Sequence, residues 1–246
     1  MSRIIFGVRP IEEAVRARPR SVAVIYVAEG VRSREIESAV AAAKDRGVAV
    51  ESRARQTVAE LAGAAAHQGI VAIVGEYEHA DLGAIFAAIA ASGEPALLLL
   101  LDGITDPHNL GAMVRSAEVL GAHGVVIPDR NAAPVNAGAV KASAGATERM
   151  RIARVGNLLR TIDALREDQG VRVLGASADG GESLAAADLR GPIAFVIGSE
   201  GRGLREAVAR RCTGLVAIPQ RGTVASLNAS VAAAILLYEA RRQRSA

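Results

Sequence analysis

The chain has 246 residues, half of them hydrophobic, with a net charge of +3 and aromatics at only 2%. That length allows one large domain or two smaller ones with real cores, and the apolar fraction excludes a disordered chain. A single cysteine and four scattered histidines exclude an intrachain disulfide framework and suggest no metal cluster. Few aromatics leave few base-stacking platforms, while the mild positive charge permits phosphate contacts without demanding them. The opening MSRIIFGVRP is too short and interrupted for a signal peptide, and the longest apolar runs (96–101 and 231–238) fall far below a membrane span. A soluble, cytoplasmic protein is expected.

Residues 1–76 read as a small α/β unit. Val8, Ile11, Ala14 and Val15 recur at helical spacing and predict a helix over 7–17. A strand over 22–27 follows, then a helical face of Ile36, Ala39, Val40 and Ala43 that stops at Gly47. Short strands are expected over 48–50 and 70–74, with Thr57 capping a helix through Leu61. Residues 77–94 carry Glu78, Asp81 and Glu94 but no Lys or Arg, and read as an interdomain linker with an Ala-rich helix over 81–91.

From residue 95 to 246 strand and helix alternate. Strands are predicted over 96–101, 125–127, 151–153, 171–174, 193–197 and 215–218, and helices over 108–120, 135–144, 155–167, 204–211 and 225–242. Short apolar strands with interleaved helices make the fold class α/β with a mostly parallel sheet, whose ligands sit at the carboxyl ends of strands.

Three polar, Gly-rich segments follow such strands. The first runs from Leu101 to Ala117 and carries Asn109 and Arg115. Six residues apart on a helix, these two differ by about 240° and are not face-mates. The second, Gly198-Ser199-Glu200-Gly201-Arg202-Gly203, follows the apolar Val196 and Ile197 and can bring backbone N–H groups to a ligand; it matches neither a P-loop nor a dinucleotide fingerprint. The third joins Ile218-Pro219 to Ser226, Leu227 and Asn228, where a hydroxyl and an amide lie just inside a predicted helix start. No Ser-His-Asp arrangement is apparent. Asn109, Arg115, Glu200, Ser226 and Asn228 together suit the positioning of a substrate against a cofactor that carries its own leaving group. Lys141, Arg149 and the tail arginines 241, 242 and 244 read either as phosphate contacts or as ordinary surface cations.

Three stretches resemble the motifs of the SpoU, or TrmH-type, RNA ribose 2′-O-methyltransferases: N-L-G-A-x-x-R at 109–115, I-G-S-E-G-x-G-L at 197–204, and I-P-x-x-G-x-x-x-S-L-N-x-S-V-A at 218–232. Gly7-Val8-Arg9-Pro10-Ile11 and His67-Gln68-Gly69-Ile70-Val71-Ala72 are similar to the RlmB-like branch, which methylates a guanosine ribose in large-subunit (23S) ribosomal RNA. The resemblance implies a deep trefoil knot in the C-terminal domain, a homodimer, and an RNA-docking N-terminal domain. It implies S-adenosylmethionine held around Gly198, Ile218 and Leu227, beside Val196 and Ile197. It assigns Arg115 to the 2′-hydroxyl as candidate general base, although a guanidinium stays protonated in proteins; a role in holding phosphate and polarising the hydroxyl fits its chemistry better. Asn109 would orient the ribose or Arg115, Glu200 would pair with Arg115 or with an arginine of a second subunit, and Ser226 and Asn228 would contact substrate or cofactor. Transfer-RNA ribose methylation, an antibiotic-resistance ribosomal RNA methyltransferase and a non-catalytic RNA-binding assembly protein are the competing readings.

Overall fold

Residues 2–63 and 67–245 are described by a computed structural model, in which the chain divides into two compact units. The first unit opens with β1 (Arg3–Phe6), α1 (Val8–Ala17), β2 (Val22–Ala28), α2 (Arg34–Asp45), β3 (Ala49–Arg53), α3 (Arg55–Ala62) and β4 (Ile70–Val74). Its four-stranded sheet has the order β1-β4-β2-β3; β4 runs antiparallel to both neighbours, while β2 and β3 are parallel. Helix α1 is amphipathic as its spacing predicts, burying Val8, Ile11, Ala14 and Val15. Strand β1 was not expected from the sequence, and Thr57 lies inside α3 rather than capping it, since the cap position is Ala54.

The two first-unit motifs meet each other. Gly7 takes a left-handed φ of 91° at the start of α1, and the Val8 N–H donates to the Gln68 side-chain oxygen at 3.0 Å. Gln68 thereby supplies the helix-start acceptor that α1's own cap position lacks. Gly69 also has positive φ, and a Cβ there would press on Val31 at 3.0 Å. These motif residues therefore have a clear structural employment within the unit.

The second unit begins with α4 (Leu82–Ser92), then β5 (Leu97–Asp102), α5 (Pro107–Val119) and β6 (Gly124–Pro128). The chain then rejoins the first unit through Pro134–Arg149, which contains α6 (Ala137–Ala142). It returns with β7 (Ile152–Val155), α7 (Leu158–Glu167), β8 (Arg172–Ser177), β9 (Glu182–Ser183), β10 (Ile193–Gly198), α8 (Glu206–Arg211), β11 (Gly214–Ala217) and α9 (Ala229–Arg244). All six pairings in this sheet are parallel, in the order β7-β6-β5-β10-β8-β11-β9. Strands β5, β6 and β10 are buried along their whole length, as continuous apolar runs covered on both faces require.

This division differs from a simple split into 1–76, linker and 95–246. Residues 77–94 are not a free linker: Asp81 caps α4 by accepting the Ala84 N–H at 2.6 Å, and Ile85 is fully buried in the second unit's core. A segment that buries an Ile side chain behaves as part of a domain. Residues 134–149, expected inside the second domain, instead belong to the first unit. There α6 packs on β1, Lys141 lies 5.1 Å over the Phe6 ring, and the buried Glu148 pairs with Arg3 at 2.8 Å. Arg149 pairs with Glu13 at 3.4 Å. The tail arginines are likewise engaged: Arg241 binds Glu94, Arg242 binds Glu239, and Arg244 donates to the carbonyls of Pro95, Ala96, Leu189 and Gly191. They act as a staple on the second unit.

Burial raises the Cys212 thiol from its ordinary 9.0 to about 11, and the Tyr77 hydroxyl, which donates to the Thr147 carbonyl, from 10.0 to about 12. The unfolded chain ionises both groups first, so the folded state holds more protons above about pH 9. The stability this contributes is complete below pH 9 and is lost as pH rises through 11 and 12. The urea midpoint should therefore fall between pH 8 and pH 10.5, and Cys212→Ala with Tyr77→Phe should flatten that fall.

Candidate functional site

The site grows from the carboxyl ends of β5, β10 and β11 in the second unit, where three loops and two helix starts converge. Asp106 opens α5 by accepting the His108 N–H at 2.9 Å, with Pro107 in the first turn, where its missing N–H is harmless. Asn228 opens α9 by accepting the Ser230 and Val231 N–H groups at 2.9 and 3.3 Å. The helix thus starts at Ala229 rather than at 225, and Ser226 stands in the exposed loop before it, not inside the first turn.

Capping with Oδ1 leaves the Asn228 amide nitrogen free to reach across the site. It donates to the Asn109 Oδ1 at 3.1 Å and to the Glu200 carboxylate, while Asn109 Nδ2 donates to the same carboxylate oxygen at 3.0 Å. Residues from three separate loops therefore close a hydrogen-bonded triangle whose charge is that of Glu200. Arg115 is exposed on α5, and among the described residues it makes no ion pair with Glu200. Of the two expected partners of Glu200, Arg115 or an arginine of a second subunit, Arg115 is not its partner within this structure, where two amides hold the carboxylate. Arg115 is also no partner of Asn109, in keeping with their positions on different faces of α5.

Beside the triangle lies a cavity of about 400 Å³, within the range of small-molecule sites. Ile197, Gly198, Ile218 and Leu227 line it, together with Glu200 and Ser226. Val196 does not: it is fully buried in the core, because successive side chains of β10 point to opposite faces of the sheet. Gly198 is required by close approach. A Cβ there would lie 2.1 Å from the Gly203 carbonyl carbon and 2.3 Å from the Leu204 nitrogen. The loop folds back on itself at this point, with Ser199 N–H donating to the Gly203 carbonyl at 3.1 Å and Gly203 N–H to the Ser199 carbonyl at 2.8 Å.

One pair escaped sequence reasoning. Asp102, at the end of β5, has a fully buried side chain that accepts from the Arg205 backbone N–H at 2.9 Å and from its guanidinium Nε at 2.6 Å. It ties the 199–205 loop to the sheet. A carboxylate directly after five leucines was the available signal, since a buried charge demands a partner. Asp102→Ala should cost about 2 kcal/mol by stranding the Arg205 N–H, and should weaken ligand binding in the neighbouring cavity. Thermal melts with calorimetric ligand titration check both effects; an unchanged melting temperature contradicts the strut.

The lining suits S-adenosylmethionine. Apolar side chains and exposed backbone offer a slot for an adenine ring, and Glu200 with Asp179 supplies negative charge for a sulfonium and an ammonium group.

Comparisons with known proteins place the chain in a family. The SpoU rRNA Methylase family matches residues 96–238, and the family described as RNA 2′-O ribose methyltransferase substrate binding matches residues 4–80. A protein of Mycobacterium sp. (strain KMS) named "Uncharacterized tRNA/rRNA methyltransferase" is 42% identical, over 99% of this chain and 77% of its own length. The "23S rRNA (guanosine-2′-O-)-methyltransferase RlmB" of Photorhabdus laumondii is 38% identical over the full length of both chains. Among solved structures, the SpoU methyltransferase AviRb of Streptomyces viridochromogenes, in complex with AdoMet, superposes with a TM-score of 0.82 at 28% identity, covering 99% of this chain and 91% of that one. With most of the second unit matched by the family and a relative of equal length at this identity, the chain belongs to the SpoU rRNA methylase family.

Proposed function

We propose that the protein transfers a methyl group from S-adenosylmethionine to the ribose 2′-hydroxyl of a guanosine in large-subunit ribosomal RNA. The observation that carries this reading is the Asn109–Glu200–Asn228 triangle standing beside the Gly198 cavity, in a chain matched end to end by an RlmB relative. S-adenosylmethionine brings an already activated methyl group, so the protein's task is alignment and proton management. Ile197, Gly198, Ile218 and Leu227 would hold the cofactor. The exposed Arg115 guanidinium would hold the phosphate next to the target ribose and polarise the 2′-hydroxyl. The hydroxyl proton would then leave late, to water or to that phosphate. Asn109 would orient the ribose, with its amide held by Glu200 and Asn228; Glu200 also remains the candidate partner for an arginine of a second subunit. Ser226, exposed at the cavity mouth, would touch substrate or cofactor.

The same reading makes the first unit the RNA-docking part, threads the second unit's C-terminal segment through a trefoil knot, and pairs two copies of the chain in the cytoplasm. Support for pairing comes from α9 and α5, which pack together and expose Val119 (70%), Val231 (46%) and Tyr238 (60%). Such exposed apolar side chains suit a second protein surface. No helix among the described residues is long and apolar enough to cross a membrane.

Ribose-methylation mapping of ribosomal and transfer RNA, from cells with and without the protein, tests the substrate. Loss of one guanosine ribose methyl in large-subunit RNA is expected. Loss at a transfer-RNA position instead keeps the chemistry and overturns the substrate, and no loss anywhere overturns the ribosomal-RNA reading.

A further inference from the structure

A second and larger cavity, about 770 Å³, opens at the carboxyl ends of β5 and β6. It shares Ser199, Glu200, Arg202, Gly203 and Leu204 with the first cavity, so the two are neighbours across the same loop. Its charged walls are unusual. Asp102 is committed to Arg205, and Glu200, held by two neutral amides, keeps its negative charge, so Arg130 and Arg202 leave the wall with a net positive charge. Arg130 and Arg202 are both exposed there and, among the described residues, neither makes a hydrogen bond or ion pair. Most other arginines of this unit are held by carboxylates or carbonyls, including Arg154, Arg172, Arg205, Arg211 and Arg244.

Two guanidiniums without an ion-pair partner in one groove favour an anionic ligand there. The ten-residue α7 starts on the same wall at Leu158, capped by Asn157, and adds the partial positive charge of a helix N-terminus. Asn131, also in the wall, adopts a left-handed φ of 57°, a conformation asparagine tolerates better than most residues. Thr105, Asn131 and Asn157 add polar side chains to the lining.

We propose that this groove is a phosphodiester subsite: Arg130 and Arg202 hold the RNA backbone on one flank of the nucleotide whose ribose is presented at Glu200 and Asn109. The assignment rests on the RNA-methylating reading above and adds to it a second anchor, distinct from Arg115. Phosphate contacts fix register and orientation rather than base identity. The strut Asp102–Arg205 then has a second use, since it holds the loop carrying Arg202 in place.

The test compares wild type with Arg130→Ala/Arg202→Ala and Arg130→Lys/Arg202→Lys, using unmodified in vitro transcribed large-subunit ribosomal RNA and S-adenosylmethionine as separate probes. In the alanine pair the RNA Kd and KM should rise about tenfold near 100 mM salt, and the slope of log K against log salt should become shallower by about 1.4, as two lost contacts at about 0.7 each require. Melting temperature and kcat at saturating RNA should stay within about twofold, and S-adenosylmethionine affinity should stay within about twofold in Arg130→Ala alone, because Arg130 does not line the cofactor cavity whereas Arg202 does. The lysine pair should recover most of the affinity, because a point charge suffices for phosphate. RNA affinity and salt slope unchanged in the alanine pair overturn the subsite while leaving the methyltransferase reading intact. A weakened S-adenosylmethionine affinity with unchanged RNA binding also overturns it, because the groove then serves the cofactor carboxylate. A wild-type chain that binds S-adenosylmethionine but no RNA overturns the underlying reading and the subsite with it.

Discussion

Replacing Arg115 by alanine is expected to lower kcat for methyl transfer by about 10²–10³-fold, in the range seen when one preorganised donor is removed from a developing charge. S-adenosylmethionine affinity should remain within about twofold, because Arg115 does not line the cofactor cavity. The melting temperature should also hold, because Arg115 is exposed and has no ion-pair partner among the described residues. Arg115→Lys is the sharper variant. Lysine keeps the charge but loses the planar fork that can engage a phosphate and a hydroxyl together. It should recover part of the RNA affinity and little of kcat. A lysine variant with near wild-type turnover contradicts the positioning role. A steep loss of S-adenosylmethionine binding in either variant moves Arg115 to the cofactor.

The second large effect is expected at Gly198. An alanine methyl there would lie 2.1 Å from backbone carbon and 2.3 Å from backbone oxygen of Gly203, and neither can rotate away as a side chain would. Strand β10 cannot retreat either, since it is hydrogen-bonded between β5 and β8. The loop must open, at a cost of about 3 kcal/mol or more, and the cavity wall opens with it. Gly198→Ala should therefore lose S-adenosylmethionine binding by at least about 100-fold and lower the melting temperature. Gly201→Ala is the control: a Cβ at Gly201 meets open space, and only its positive φ of 79° is strained, for about 1–2 kcal/mol. If both variants bind alike, the close approach at Gly198 is not what shapes the cavity.

Much of the second unit was legible because its strands are apolar runs punctuated by glycine. The predicted strands over 96–101, 193–197 and 215–218 each fall within a residue of β5, β10 and β11. The three site loops could be ordered onto one sheet end for the same reason. What stayed hidden depends on tertiary packing. Strand β1 is four residues long, and β9 only two, too short for any period. The residues 225–227 just before α9 give no stop to helix propensity, so only the cap geometry of Asn228 reveals the true start. Val196 and Ile197 are equally apolar neighbours, and a strand buried on both faces does not announce which one faces a ligand. Residues 134–149 carry no change of composition at their borders. Their membership of the first unit follows from contacts such as Glu148 with Arg3, across 145 positions of sequence. The triangle of Asn109, Glu200 and Asn228 was foreseeable as a set but not as a network, since partner choice among five polar side chains is decided by ångströms.

The central claim is tested most directly by incubating the purified protein with methyl-tritiated S-adenosylmethionine and unmodified large-subunit ribosomal RNA, then digesting the RNA and identifying the labelled nucleoside by mass spectrometry. The account predicts label in 2′-O-methylguanosine at a single position, abolished by Gly198→Ala and strongly reduced by Arg115→Ala. Label on a base rather than a ribose, or no transfer by a chain that binds both S-adenosylmethionine and RNA, would contradict it.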